Sequence, residues 1–150
     1  MEDFAGKVIG VLITLFGTVI LVFANITSSA DSYAKRTIMN EMQQLCDKVI
    51  DTRELTEDQL ADFYLSISGL GPTVDAEVVR YVRVVNPDPK KPGGLYTTFV
   101  YSENNTEYNQ GDKVRITVKA IRYTGPQRIL YGLVRIKSRD INYTITERVR

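Results

Sequence analysis

The chain contains no histidine and no tryptophan, and Cys46 is the single cysteine among its 150 residues. These absences exclude a serine–histidine triad, a zinc site built from cysteine and histidine, and a disulfide within one copy. The phosphate-loop, dinucleotide-binding and nucleophile-elbow motifs are absent as well. We therefore expect neither an enzyme nor a protein that holds a cofactor or a metal.

The overall charge is close to neutral but unevenly distributed. Apolar residues make up 43% of the chain and charged residues 25%, which is typical of a globular protein and not of a disordered one. The net charge of +1 hides an acidic segment, 31–75, with nine acidic and four basic residues. The segment 76–150 has seven acidic and fourteen basic residues. We expect these halves to attract one another, within a copy or between copies.

The longest uncharged run extends from Val8 to Ala30. Its first seventeen residues, Val8 to Ala24, would form a helix about 25 Å long, and the uncharged residues that follow extend it to the thickness of a bilayer. A secretory signal usually begins with basic residues, whereas only Lys7 precedes this run. We favour a retained membrane-spanning helix over residues 1–30. A cleaved signal and a buried helix of a soluble protein are the alternatives.

Small residues recur along this run with helical spacing. Gly6, Gly10, Thr14 and Gly17 follow the pattern i, i+4, i+8, i+11, which places them on one face of a helix. In lipid, such a face lets neighbouring helices approach closely. We therefore predict a helix-packing face at these four residues. The simpler alternative is that glycine is common in membrane helices.

The same helix is predicted to continue as an amphipathic one. No proline or glycine occurs from Thr18 to Ile50, so a single helix from about Asp3 to Ile50 is the simplest interpretation. Its second half carries an apolar stripe with the spacing of a helix face. The stripe consists of Ile38, Met42, Leu45 and Val49. Cys46 lies beside it, and we interpret it as a core thiol because no histidine is present to activate it.

A second, shorter helix is predicted after Thr56, which is a candidate N-cap with Asp58 or Gln59 closing a capping box. It ends near Gly69. Three acidic residues near its start resemble carboxylates paired for acid–base catalysis, but negative charge also suits a helix N-terminus, and we favour that interpretation. These residues are Glu57, Asp58 and Asp62.

From residue 76 onward the apolar pattern changes to a period of two. It predicts strands at 76–85, 95–101 and 113–123, and one long bent strand or two short ones over 129–149. The clearest alternation is in the third segment, where Val114, Ile116 and Val118 share one face. The predicted fold class is α+β: a long N-terminal helix packed on a small antiparallel sheet of four to five strands, with residues 31–150 as the globular domain.

Basic residues line the predicted outer face of this sheet. They are Lys113, Arg115, Lys119, Arg122, Arg135, Lys137 and Arg139, with Tyr123 and Tyr131 nearby. Such a set can form a nucleic-acid surface, but alternating cations on a solvated sheet are commoner, and we expect no nucleic-acid partner. Three sites match the glycosylation triplet, at Asn25, Asn104 and Asn142.

The order of these elements resembles that of type IV pilin-like proteins. The resemblance lies in "GKVIGVLITLFGTVILVFANITSSADSYAKRTIMNEMQQLC", "LTEDQLADFYLSISGLG", "GDKVRITVKAIRY" and "LYGLVRIKSRDINYTITERVR". It is nearest to TadE-like pseudopilins and to pilin-like proteins of Gram-positive conjugative or secretion systems. One departure is Ala5, which stands where type IV pilins usually carry glutamate.

The resemblance implies a subunit whose apolar helix first anchors it in the membrane and then bundles in the core of a filament or secretion pseudopilus. Its partners would be copies of itself, the membrane and other components of the pilus or secretion machine, with the globular domain outside the cytoplasm. Charges leave the orientation open, because Lys7 precedes the run and Lys35 and Arg36 follow it. The alternative function is a single-span anchor whose sheet domain binds a partner in a cell-envelope complex.

Overall fold

The computed structural model describes residues 2–122, 125, 128, 129, 132 and 142–150. In chain order the elements are α1 (Glu2–Thr52), α2 (Glu57–Ser68), β1 (Thr73–Pro87), β2 (Leu95–Ser102), β3 (Lys113–Arg122) and β4 (Asn142–Arg148). The four strands form one antiparallel sheet in the order β2-β1-β3-β4. The predicted α+β fold, a long N-terminal helix packed on a small antiparallel sheet, is confirmed.

The second half of α1 packs against the sheet along the predicted stripe. Ile38, Met42, Leu45 and Val49 are all buried, each no more than 3% exposed. They meet Val114, Ile116 and Val118 of β3, which are fully buried in the same core. The helix ends at Arg53, whose φ of +58° is incompatible with a right-handed helix. Both periodicities predicted from the sequence are thus confirmed.

The helix α2 begins with a complete capping box. The Thr56 hydroxyl accepts a hydrogen bond from the Gln59 main-chain nitrogen at 3.2 Å, and the Gln59 side-chain oxygen accepts one from the Thr56 nitrogen at 3.1 Å. Gln59, and not Asp58, therefore closes the box. Phe63 and Ile67 are the buried residues of this helix, and Gly69 caps its C-terminus.

The strand β1 is longer than predicted and serves two partners. It begins at Thr73 instead of residue 76 and continues through Pro87. Its first part pairs with β3 as far as Tyr81, and its second part pairs with β2 from Arg80 onward. Residues 82–101 therefore form a two-stranded extension, which we call the β-arm. Its apolar side chains are substantially exposed; they include Val85, Leu95, Tyr96, Val100 and Tyr101.

Side chains protect the edge of β1 that β2 leaves unpaired. The Tyr64 hydroxyl accepts a hydrogen bond from the Ala76 nitrogen at 3.0 Å. The Asn105 amide donates to the Val78 carbonyl at 3.0 Å and accepts from the Arg80 nitrogen at 2.9 Å. These contacts satisfy main-chain groups that would otherwise offer a template for another strand.

The last predicted strand is shorter than the sequence pattern indicates. Of the segment 129–149, β4 occupies Asn142–Arg148, whereas Ile129 and Gly132 are helical. The rest of 129–141 lies outside the described residues, together with five of the residues assigned to the outer sheet face. Those five are Tyr123, Tyr131, Arg135, Lys137 and Arg139.

Candidate functional site

The first half of α1 is an apolar helix that the described domain leaves uncovered. Most of its large apolar side chains are exposed, from 37% at Ile20 to 75% at Phe4, whereas Phe23 is half-buried and Thr27, near the end of this half, is buried. None of its most apolar 18-residue window is buried, and the helix is long and apolar enough to cross a membrane. The described part of the chain therefore does not bury this window in a core. This half of α1 fits a single membrane span near the N-terminus.

The four predicted helix-packing residues lie along this uncovered half. A β-carbon added at Gly6, Gly10 or Gly17 would meet no neighbouring atom within 4 Å. The Thr14 hydroxyl donates a hydrogen bond to the Gly10 carbonyl at 2.9 Å. Gly10 and Thr14 also line an apolar groove along the helix, whereas Gly6 and Gly17 are not among its described lining residues. The three glycine positions therefore have free space beside them in the described part of the same copy, and the Thr14 side chain is exposed.

Hydroxyl groups in this half are satisfied by the helix itself. Thr18 donates to the Thr14 carbonyl at 2.8 Å, and Thr27 donates to the Phe23 carbonyl at 2.9 Å. A hydroxyl bonded four residues back needs no water, so threonine is compatible with a lipid or helix-packed environment. The threonines consequently do not weaken the case for a membrane-spanning segment.

Comparison of the chain with family models, with curated proteins and with solved structures gives no match in any of the three. Function is therefore inferred from the chain's own residues. Apart from the uncovered helix, the features that bear on chemistry are a thiol, an acidic helix start, a buried ion pair and a cationic sheet face.

Cys46 is a core thiol, as predicted. Its side chain is fully buried beside the α1 stripe. Burial, followed by the negative charges of Glu147 and Asp47, raises the pKa of the thiol to about 12. The thiolate, which is the nucleophilic form, is therefore scarce near neutral pH. This environment suits packing and not reactivity.

The acidic residues at the start of α2 occupy the positions expected for stabilising a helix N-terminus. Glu57 and Asp58 lie in the first turn, and Asp62 follows one turn later on the exposed surface. Among the residues that the structure describes, no group of three or more acidic, cysteine or histidine side chains is arranged to hold a metal ion. The helix N-terminus interpretation accounts for Glu57 and Asp58, whereas Asp62 lies beyond the first turn.

A buried ion pair joins the sheet to the loop before β3. Arg80 Nη2 lies 2.7 Å from Asp112 Oδ2, and both side chains are at most 8% exposed. Burial alone would raise the pKa of Asp112, but hydrogen bonds from the Arg83 and Asn109 nitrogens and from Arg80 outweigh it and lower the pKa. Sequence patterns did not predict this pair, because its members are 32 residues apart and meet only through strand register.

On the outer sheet face, two basic side chains lie over aromatic rings of the same chain. Lys113 Nζ lies 3.8 Å from the centre of the Phe99 ring, and the Arg115 guanidinium lies 4.7 Å from that of Tyr81. Arg115 also donates a hydrogen bond to the Tyr81 hydroxyl at 2.7 Å. Each cation covers one face of its ring, and that face is not open to a stacking base of the kind found in single-strand binding proteins. This arrangement supports the solvated-face interpretation.

All three glycosylation triplets begin at exposed asparagines. Asn25 lies within α1, Asn142 begins β4, and Asn104 lies in the loop after β2. The Asn104 side-chain oxygen accepts hydrogen bonds from the nitrogen and hydroxyl of Thr106. Exposure makes each triplet sterically available, and its use depends on the compartment.

Proposed function

We propose that this protein is a structural pilin-like subunit that assembles through its N-terminal apolar helix into an extracellular filament or secretion pseudopilus. The observation that carries the proposal is the contrast within α1. One half completes the core of a folded domain, while the other half, apolar on all sides, is left without cover. An apolar surface of this extent marks a membrane or protein contact.

In the proposed function, the apolar half of α1 is covered first by lipid and then by other copies of the same helix. In the membrane, lipid covers the apolar half and the subunit is a single-span protein. In the filament, copies of the same helix replace the lipid. The face containing Gly6, Gly10, Thr14 and Gly17 supports this second stage, because small residues allow helix backbones to come close.

The location outside the cytoplasm follows from the architectural resemblance to pilin-like proteins. In that arrangement the sheet domain is carried on the outside of the helix bundle and faces solvent. The charged outer face of β3, with Arg115 and Lys119 exposed, is compatible with such a position.

A second candidate function is a single-span anchor whose domain binds a partner in a cell-envelope complex. The β-arm favours this candidate, because it carries exposed apolar residues and β2 pairs with β1 alone among the described strands. A two-stranded ribbon is marginally stable by itself, so a partner that covers it would stabilise it. Under this candidate the protein would be monomeric in the membrane.

Replacement of the glycines tests the first candidate. Leucine at Gly10 and Gly17 keeps the helix apolar, and a β-carbon at either position meets no neighbouring atom within 4 Å, so insertion and folding should survive. The larger side chains would hold neighbouring helices apart and remove close backbone contacts. We expect the double variant to be membrane-inserted and folded but to form no filaments in electron micrographs.

Leucine at Val11 and Ile20 is the matched control, since both residues are exposed on the same half, already carry branched apolar side chains and are not among the four small residues. This control should form filaments as the parent does. Filaments of the parent with a regular helical repeat would exclude the single-span anchor. Normal filaments from the Gly10→Leu, Gly17→Leu variant would show that the glycines are incidental to packing.

A further inference from the structure

Two arginine side chains converge at Gly111, in the loop before β3. A β-carbon on this glycine would lie 3.0 Å from Arg83 Cδ, 3.3 Å from Arg83 Nη1 and 3.5 Å from Arg148 Nη2. Both guanidinium groups are therefore within 3.5 Å of one point in space. Gly111 has a φ of +94°, a conformation that favours glycine, so the loop reaches this position and leaves room for both arginines.

The two guanidinium groups border an open polar cleft of about 580 Å³. We call it the arginine cleft; its lining includes Arg83, Gln110, Gly111, Glu147, Arg148 and Arg150. Arg148 Nε donates a hydrogen bond to the Gly111 carbonyl at 3.3 Å, which fixes the base of its guanidinium. Val149 accepts from the Gly111 nitrogen at 2.9 Å and holds the loop against β4.

Neither arginine of the cleft takes part in a described ion pair. The described ion pairs join Arg80 to Asp112 and Lys119 to Glu77, and neither includes Arg83 or Arg148. Glu147 also lines the cleft, and its carboxylate, which accepts a hydrogen bond from Gln43 at 2.7 Å, offsets part of the positive charge. Because the arginine side chains that line the cleft outnumber this one carboxylate, a further carboxylate relieves their mutual repulsion through charge-assisted hydrogen bonds.

The acidic segment, 31–75, carries exposed carboxylates on α2 that take part in no described ion pair. Asp58 and Asp62 are exposed, and their i, i+4 spacing places them on one face of α2. Leu65, 71% exposed, continues that face one turn later. Asp62 also lines a groove with Glu41 and Lys48 of α1. Among the described ion pairs, none includes these acidic residues.

We propose that the arginine cleft of one copy binds the carboxylates of Asp58 and Asp62 on α2 of a second copy. Charge complementarity identifies the occupant: the segment 31–75 is acidic and the segment 76–150 is basic. This inference rests on the proposed self-assembly and names its polar contact. Since the two surfaces differ, the contact is head-to-tail: in a pair, one copy keeps its arginine cleft unused and the other keeps its acidic face unused. Such contacts generate open-ended assemblies unless a ring closes.

Charge reversal with rescue tests the pairing in the full-length chain. The chain is purified in mild detergent and assembled by detergent removal, and the fraction that sediments is measured together with electron micrographs. Arg83→Glu with Arg148→Glu should lower the sedimenting fraction about tenfold or more, because like charges then face each other. Asp58→Arg with Asp62→Arg should do the same. The four changes combined should restore assembly to within about twofold of the parent, since the charge pairs are re-formed.

Lys90→Glu with Lys91→Glu, at the exposed tip of the β-arm, is the control with the same change in net charge, and it should assemble as the parent does. Circular dichroism and the melting temperature check that each variant folds. If the arginine reversal unfolds the domain, Arg83→Gln with Arg148→Gln replaces it, and a normal sedimenting fraction then overturns the proposal.

The remaining outcomes separate this inference from the function on which it rests. Normal filaments from the arginine-reversed, folded variant overturn the arginine contact and leave the filament function intact. Loss of assembly in both two-residue variants without recovery in the combined one overturns α2 as the occupant. A parent chain that forms no filaments overturns the proposed function and this contact together.

Discussion

Residues 4–26 and residues 34–50 belong to one uninterrupted helix but bury their apolar side chains in different ways. In the second half a narrow stripe is buried against a sheet, and the faces between carry polar residues. In the first half apolar side chains point in all directions and remain exposed within the copy. The distribution of apolar residues around the helix therefore indicates what covers it: one surface for a stripe, and lipid or several helices for a full cylinder.

The hydrogen-bond partners of polar side chains also differ between the two halves of α1. In the first half Thr14 and Thr18 return their hydroxyls to the helix's own carbonyls. In the second half Gln43 reaches outward and donates a hydrogen bond to Glu147 on β4. Thr37 of the second half also donates to a carbonyl of the helix, that of Tyr33, at 3.1 Å, so the difference between the halves lies in the Gln43 side chain and not in the threonines.

The largest expected effect comes from placing the same charge in each half. Met42→Asp buries an unpaired carboxylate in the core and should lower the free energy of unfolding by more than about 4 kcal/mol. Leu12→Asp should leave the melting temperature of the domain unchanged but make membrane insertion less favourable by about 3 kcal/mol. Thermal denaturation and liposome flotation measure the two effects. If Met42→Asp and Leu12→Asp lowered domain stability equally, the claim that only the second half of α1 packs in the domain would be contradicted.

Acid should unfold the packed half selectively. The folded-state pKa of Asp112 is lowered, so its contribution to stability is present above the unfolded pKa, about 3.9, and is lost as pH falls through the folded pKa. Asp112→Asn should cost about 3–5 kcal/mol at neutral pH, because Arg80 is left buried without its charge partner, and should flatten the acid dependence below about pH 4.

The exposed Glu103→Gln change is the control and should alter stability by less than about 0.5 kcal/mol. Urea denaturation of each variant at a series of pH values gives the comparison. An unchanged acid slope in the Asp112→Asn variant would assign the acid sensitivity to other groups. In detergent micelles, the helicity of residues 4–26 should not follow this transition.

A smaller effect is expected where the packed half contains an unused polar atom. The Tyr108 hydroxyl is buried and makes no hydrogen bond within the described part of the chain. Tyr108→Phe should therefore be neutral or stabilise the domain by up to about 1 kcal/mol. Tyr64→Phe is the contrasting variant, since it removes the bond to the Ala76 nitrogen and should destabilise by about 1 kcal/mol. The reverse order in urea denaturation would refute the assignment.

The smallest effect is predicted for removing the first half altogether. A fragment of residues 31–150 should fold with a free energy of unfolding within about 0.5 kcal/mol of the full chain, because the most apolar window of α1 has no buried residue in the domain. Dispersed amide signals in its NMR spectrum and an unchanged melting temperature would support autonomy. A collapsed spectrum would show that the two halves fold together.

Periodic patterns were sufficient to predict the parts of the fold that repeat. The spacing of Ile38, Met42, Leu45 and Val49 identified the face of α1 that meets the sheet, and the alternation in β3 identified its inner face. The capping box followed from local spacing as well, with Gln59 settled only by the structure. These signals are visible because each depends on residues close together in the chain.

Features that depend on register were not predicted. The ends of β1 were missed because Asn86 and Pro87 resemble a loop, although a proline is tolerated where an edge leaves its nitrogen unpaired. The Arg80–Asp112 pair and the meeting of Arg83 with Arg148 join residues from separate strands and loops. Only Gly111 gave a hint, as a glycine before a strand. The packing role of the small-residue face stays a prediction.

The continuity of α1 also has a geometric consequence. Its 51 residues rise about 76 Å without an internal break. A residue's position along the helix axis and its direction around that axis are therefore linked. One extra residue between the two halves would lift the domain by about 1.5 Å and turn it by about 100° around the helix axis. The number of residues between the first half of α1 and the sheet therefore sets the direction, around the helix axis, in which the β-arm and the arginine cleft point.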